Sequence, residues 1–267
     1  VPARGSLGYD PQDADSLARQ RLGGGHDEVD LEEEVMKVVA ISDQHGYLPD
    51  IPACDLLLIA GDICPTVNHR PDFQEHWLNT DFRYWLKKVP ARKIVGVAGN
   101  HDLIFQNAPH RVPTLPWTYL QDAGTEFEGF KIWGTPWQLY FFDWAFNLYE
   151  PDLLKKWALI PSDTNILVAH SPARGYGDDA PRGRDTEKVG SPGLLAKITE
   201  IKPKLMVFGH IHEGRGQWQL NDTILANVTV VDGKYRLVYP PMVFELTGKT
   251  DDGHRDADRV DSAGGQS

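Results

Sequence analysis

Six short apolar runs punctuate the middle of the chain: KVVAIS at 37–42, LLLIA at 56–60, KIVGVA at 93–98, FKIWG at 130–134, NILVAH at 165–170 and LMVFG at 205–209. Near-continuous Val/Ile/Leu runs of this length predict strands buried on both faces. Between them the apolar spacing widens. In FQEHWLNTDFRYWLKKV, residues 73–89, Trp77, Leu78, Phe82, Trp85, Leu86 and Val89 form a helical stripe. EPDLLKKWALI at 150–160 and SPGLLAKITEIK at 191–202 predict two more helices. Each has a proline in its first turn, and Ser191 suits an N-cap. Strands alternating with helices predict an α/β core. TILANVTVV at 223–231 and YRLVY at 235–239, joined by Asp-Gly-Lys, predict a hairpin with Gly233 at positive φ, and MVFEL at 242–246 closes the body. Part of the sheet is therefore expected to be mixed or antiparallel.

Composition narrows the class. The chain has 267 residues, 41% of them hydrophobic and 10% aromatic, which suffices for one large domain or two small ones. The apolar runs are too short and too often interrupted to span a bilayer. No basic start leads into an apolar stretch, so neither a secretory signal nor a membrane partner is expected. The formal net charge is −11, but residues 1–34 carry nine acids and three bases, and residues 248–267 carry five and three. The first stretch reads as a flexible acidic arm and the second as a disordered tail, flanking a body at 35–247. A near-neutral body lacks the basic face that nucleic-acid binding asks for, although a small phosphate substrate is compatible with it. Two cysteines, Cys54 and Cys64, without CxxC spacing, read as reduced structural thiols in a cytoplasmic protein.

The chemistry lies where the apolar runs stop. KVVAIS runs into Asp43 and His45, LLLIA into Gly61-Asp62, and KIVGVA into Gly99-Asn100-His101-Asp102. NILVA runs into His170, and LMVF into Gly209-His210-Ile211-His212. In open α/β sheets ligands bind beyond the carboxyl ends of the strands, so these side chains are expected in one cleft. Three carboxylate or amide oxygens and four imidazoles are too many for one tetrahedral zinc, and they suit two neighbouring divalent ions that share a carboxylate. Mixed nitrogen and oxygen donors favour Mn, Fe, Zn, Co or Ni over Ca or Mg. Gly61, Gly99 and Gly209 each precede a donor, where the strand must turn and the backbone can approach a substrate.

The ordered set D-x-H, G-D, G-N-H-D, strand-terminal His and G-H-x-H resembles the calcineurin-like metallophosphoesterases. IWGTPWQLYFFDWAFNL, LLKKWALIPSDTNILVAHSP and KPKLMVFGHIHEGRG resemble the branch called metallophosphoesterase domain-containing proteins, over roughly residues 36–247. The resemblance implies a single-domain αββα sandwich of two mixed sheets. It implies that Asp43, His45, Asp62 and His212 hold one metal and Asp62, Asn100, His170 and His210 the other, with Asp62 bridging and manganese favoured. Some relatives in this branch have Gly where His210 stands; this chain keeps the histidine. It departs at Gln44, where the family more often has Thr, but Gln44 is not among the implied ligands.

On this reading a hydroxide shared by two metals attacks phosphorus in line, and the opposite ester oxygen leaves. His101 is expected to act on the leaving group or on the transition-state charge, with Asp102 either orienting it or serving a turn or helix cap. Loops at 103–119, 134–149 and 171–193 are expected to shape the substrate site. The second is dense in aromatics (Trp137, Tyr140, Phe141, Phe142, Trp144 and Phe146), about two-thirds of which are expected to pack beneath the sheet, the rest offering a stacking wall. Arg111, Arg174, Arg182 and Arg184 are candidate phosphate clamps. His69 and His76 read as surface residues of the first helix. The expected activity is phosphodiester hydrolysis on small diesters, cyclic nucleotides among them. A phosphomonoesterase and a non-catalytic nucleotide-binding scaffold remain as alternatives, and nothing in the sequence states the oligomeric state.

Overall fold

The computed structural model describes residues 35–248; the expected arm at 1–34 and the tail beyond 248 lie outside the described residues. In chain order the strands and helices are β1 Val35–Ile41, β2 Cys54–Ala60, α1 Pro71–Trp77, α2 Arg83–Leu86, β3 Ala91–Val97, α3 Leu103–Asn107, β4 Thr118–Tyr119, β5 Ala123–Phe127 and β6 Phe130–Thr135. They continue as β7 Gln138–Leu139, β8 Asn147–Leu148, α4 Glu150–Trp157, β9 Ile166–Ala169, β10 Asp179–Arg182, β11 Asp185–Lys188 and α5 Pro192–Ile201. The last four strands are β12 Leu205–Phe208, β13 Gly216–Leu220, β14 Thr223–Asn227 and β15 Met242–Thr247.

Two mixed sheets result. One has the order β15-β1-β2-β3-β4 and the other β13-β14-β12-β9-β6-β5. Their centres are parallel, β1-β2-β3 in the first and β14-β12-β9-β6 in the second, and antiparallel strands β15, β13 and β5 close three of the four edges. Side-chain alternation along each strand explains the layering. Val38, Ala40, Leu56, Leu58, Val95 and Val97 share one buried cluster with Ile132, Val168, Val207 and Ala226. Their neighbours Val39, Ile41, Leu57, Leu167 and Met206 join a second cluster with Trp77, Phe82, Leu153, Trp157, Leu194 and Ile198 of the helices. The molecule is thus an αββα sandwich, and the near-continuous apolar runs follow from burial of both strand faces. Among the described residues, no helix is long and apolar enough to cross a membrane.

Local chemistry explains the helix starts. Pro71, Pro151 and Pro192 stand in first turns, and Ser191 Oγ accepts from Leu194 N. The long stripe at 73–89 is helical but not uniform: a π-helical turn, Leu78–Phe82, joins α1 to α2. The expected terminal hairpin is not formed. β14 pairs antiparallel with β13 instead, and residues 235–239 fold back on 230–232 through the antiparallel bridge Val231↔Leu237 and bonds from Val238 N and Tyr239 N to Val230 O and from Asp232 N to Arg236 O, without becoming a strand. Tyr235, not Gly233, takes the positive φ, at 59°. After β14 the chain crosses to the other sheet, where Ser42 and Thr229 bridge, and that crossing displaces the hairpin.

Candidate metal centre

The strand ends of both sheets meet at one place. Asp43, His45, Asp62, Asn100 and His101 arrive from the first sheet, and His170, His210 and His212 from the second. The junction is stitched by backbone bonds from Ser42 N to Val228 O and from Val230 N to Ser42 O, each 3.0 Å. Close approach requires glycine. A Cβ at Gly99 would collide with the Asp62 carboxylate, and one at Gly209 with Ser42 and Asp43. These two glycines let one donor strand approach another. Four donor residues, Asp43, His45, Asp62 and His210, stand at φ of 55°, 44°, 54° and 69°. Such backbone costs about 1–3 kcal/mol per residue and persists where surrounding bonds overdetermine it. Here Asp43 N donates to Gly61 O, His45 N to Asp62 O and His210 N to Asp43 Oδ1.

The donors divide about Asp62. On one side His45 Nε2 and His212 Nε2 are 3.1 Å apart, and His212 Nε2 is 3.5 Å from Asp43 Oδ1. On the other, Asn100 Oδ1 lies 2.8 Å from His170 Nε2 and 2.7 Å from His210 Nδ1. Asp62 Oδ2 reaches both sides, at 3.8 Å from His45 Nε2 and 3.5 Å from His170 Nε2. His170 Nδ1–H donates to Ala60 O at 2.9 Å, so in the neutral ring Nε2 presents its lone pair to the cluster.

Electrostatics fit divalent cations. Burial holds His45, His170 and His210 below the usual imidazole range, which keeps them neutral and able to ligate. Burial, then the charges of Asp102 and Asp43, push Asp62 well above the usual carboxylate range. Burial also works against ionised Asp43, but the hydrogen bond and charge of His212 outweigh it and hold Asp43 low. Burial opposes a charged His212 likewise, and the Asp43 bond reverses this and raises it. Among the described residues no Lys or Arg forms an ion pair with Asp43 or Asp62, whose close partners are histidines. Buried carboxylates whose close partners are imidazoles rather than Lys or Arg suit a metal of borderline character. Three groups, Asp43/His45/His212, His45/Asp62/His101 and Asp43/Asp62/His170, each have ligand atoms within 4.8 Å of one another.

His101 lies beside this cluster but is not held as expected. Asp102 does not reach its imidazole. The Asp102 carboxylate accepts instead from Gly99 N at 2.8 Å, Cys64 N at 2.8 Å and Ile63 N at 3.2 Å, stapling two donor loops together. The side chain that meets His101 Nδ1 is His69, whose Nε2 is 3.1 Å away. Buried Gln74 donates to His101 O at 2.6 Å and accepts from Ile104 N at 2.9 Å, and His101 N donates to Asp62 Oδ1. Burial, then neighbouring His69 and His170, push the His101 imidazole down to about 3, so the ring is neutral.

Two aromatic residues complete the surroundings. The Tyr235 ring lies 4.7 Å from His45 and 4.8 Å from His212, centroid to centroid. Among the described residues His45 Nδ1 is buried without a hydrogen-bond partner, and its ring packs against Tyr235, His101 and His212. Trp144 lies 4.5 Å from His101. Of the six rings at 137–146, Trp137 and Phe146 are buried, Trp144 is half-buried, and Tyr140, Phe141 and Phe142 are 51–65% exposed. Fewer rings pack inward than the sequence suggested, because the loop turns back on itself after β7. Among the arginines, Arg111 pairs with Glu75, Arg182 with Glu187, and Arg174 donates to Lys188 O. No signal in the sequence marked Tyr235, which reads as a strand residue, while His69 was visible only as one more histidine.

Comparison with known proteins agrees with this architecture. The family model "Calcineurin-like phosphoesterase" matches residues 36–214. Metallophosphoesterase domain-containing protein 1 of Homo sapiens is 33% identical over 242 residues, covering 79% of this chain and 71% of that protein. A UPF0046 protein of Caenorhabditis elegans is 29% identical over 246 residues, covering 82% and 84%. Among solved structures, phosphopantetheinyl hydrolase (PptH) from Mycobacterium tuberculosis superposes with a TM-score of 0.53 at 16% identity, covering 74% of this chain and 90% of that one. The chain belongs to the calcineurin-like phosphoesterase family.

Proposed function

We propose that this family member is a phosphodiesterase that hydrolyses small diesters with two divalent cations. The observation that carries the reading is the division of donors about Asp62: Asp43, His45 and His212 on one side, Asn100, His170 and His210 on the other. Cations bound there would withdraw charge from phosphoryl oxygens and lower the pKa of a water. The imidazole and carboxylate donors suit Mn, Fe, Zn, Co or Ni, with manganese the first choice.

The chain's own residues do the rest. Asp62 supplies negative charge to both halves of the cluster. His101 presents its remaining ring nitrogen beside the donors, where an N–H can stabilise charge on the departing oxygen. Backbone bonds from His101 to Asp62 and Gln74 fix that position before substrate arrives. Diesters suit the site better than monoesters in this reading, because three of the four candidate clamps are engaged, Arg111 and Arg182 with glutamates and Arg174 with a carbonyl, which leaves exposed Arg184. A singly charged diester needs less cationic compensation than a dianion. Two buried free thiols, Cys54 and Cys64, support a reducing compartment, the cytoplasm.

The test strips the protein of metal and restores Mn²⁺, Ni²⁺, Co²⁺, Zn²⁺ or Mg²⁺ separately. Turnover of bis(p-nitrophenyl) phosphate and p-nitrophenyl phosphate is then compared, with ions per chain counted by elemental analysis. Two ions and preferential diester turnover are expected. Monoester preference would move the same centre to a phosphatase, and two bound ions without turnover would leave a binding scaffold.

A further inference from the structure

The loop between β7 and β8 holds apolar rings in water at a cost in backbone conformation. Phe142 and Phe146 stand at φ of 50° and 59°, uncommon for bulky side chains. Phe146 is buried against Trp137 at 5.5 Å and anchors the loop. Phe141 and Phe142 are 51% and 65% exposed. They touch each other at 4.3 Å and Trp144 at 5.5 and 5.4 Å, and Trp144 in turn lies on His101.

This ridge is rigidly tied. The Asn147 amide donates to the carbonyls of Phe141 and Phe142 and accepts from Gln138 Nε2 at 2.9 Å. Ala145 N donates to the carbonyl of Asn100 itself, at 3.1 Å, and Phe146 N to Gln106 Oε1 at 2.7 Å. The exposed rings are therefore registered to the donor cluster through its own backbone. Contiguous apolar surface that begins inside a polar site marks where a ligand's apolar part goes.

We propose that Trp144, Phe141 and Phe142 form a subsite for a flat, uncharged aryl group carried by the phosphoester whose phosphorus lies at the donor cluster. This rests on the phosphoester reading. The occupant follows from continuity, since the ridge starts on His101, one residue from Asn100, and so meets a group attached through an ester oxygen. It follows also from charge: the ridge's charged residue is Asp143, exposed among the rings, which disfavours a second phosphate or a carboxylate there.

Calorimetry on the Mn²⁺-loaded full chain tests this with methylphosphonate and phenylphosphonate. Phenylphosphonate is expected to bind about tenfold tighter to the unaltered protein, as one ring packed on aromatic side chains allows. The preference should fall to within about threefold in the double variant Phe141→Ser/Phe142→Ser, and likewise in Trp144→Ala. The tip rings are exposed, so the double variant keeps the core intact. An undiminished preference in both variants overturns the subsite. So does loss of binding to phosphatidylcholine vesicles in the double variant with the preference unchanged, which would make the ridge a membrane anchor. Methylphosphonate binding without any phenyl preference overturns the subsite alone. Failure of both phosphonates to bind the loaded protein overturns the phosphoester reading and the subsite with it.

Discussion

The donor cluster and the aromatic ridge beside it use one backbone device for opposite ends. Both place non-glycine residues at positive φ: Asp43, His45, Asp62 and His210 in the cluster, Phe142 and Phe146 in the ridge. In the cluster the turn aims carboxylates and imidazoles inward, and Asp43, His45 and Asp62 are at most 7% exposed. In the ridge it leaves Phe142 in solvent beside Phe141 and buries Phe146 as the anchor. The same conformational cost thus concentrates charge in one region and apolar surface in the other. The cluster is suited to chemistry that any phosphoester requires, and the ridge to telling one ester from another. That division predicts that damage to the two regions will separate by readout.

The largest effect should come from Asp62, the carboxylate proposed to serve both halves of the cluster. Asp62→Asn is expected to reduce bound metal below two ions per chain and turnover on the order of 10³-fold, read by elemental analysis and steady-state kinetics. Retention of both ions at full rate would break the proposed division about Asp62. Next, His101→Ala should keep both metals yet lose about 10²–10³-fold in turnover. The loss should be greater for phenyl than for nitrophenyl leaving groups; equal losses would remove His101 from the leaving-group side.

Asp102→Ala should act on stability. Three buried N–H groups lose their acceptor, so denaturant unfolding should fall by about 2–4 kcal/mol while metal per folded chain is preserved. A smaller effect is expected at His69. His69→Ala should lower kcat about tenfold with KM within about twofold, and His69→Gln, whose amide can reach the same ring nitrogen, should restore part of it. No rescue by His69→Gln would remove the bond to His101 as the cause, and a change confined to KM would assign His69 to binding. Smallest of all, Phe142→Gly relieves a positive φ and removes an exposed ring, so unfolding free energy should change by less than about 1 kcal/mol. A larger drop would mean that the ridge is a packing element.

Much of the architecture was legible because it depends on short-range pattern. Runs such as VVAI and LLLIA are buried on both faces only where a layer covers each face of the sheet, and a helical stripe such as Trp77/Leu78/Phe82/Trp85 supplies such a layer. The π-helical turn at Leu78–Phe82 was not legible, since the apolar stripe tolerates one extra residue per turn without breaking. The Tyr235 segment was misread as strand for a related reason. YRLVY alternates like a strand, but it meets residues 230–232 through one isolated antiparallel bridge while the residues before it pair across to Ser42, and a strand needs a continuous partner as well as a pattern.

By itself the sequence determined which side chains stand at the ends of apolar runs, and hence at one edge of the sheets. Chain direction in parallel strands brings those ends together whatever the loops do. Only the tertiary structure decided how the side chains partner there. His69 reaches His101 across 32 residues, Asp102 reaches Cys64 across 38, and His212 reaches His45 across 167. Those meetings depend on left-handed turns, close-packed glycines and the crossing between sheets. Periodicity sets the face a residue presents, but a donor's partner is set by loop dihedrals and by the distance between strands from opposite ends of the chain.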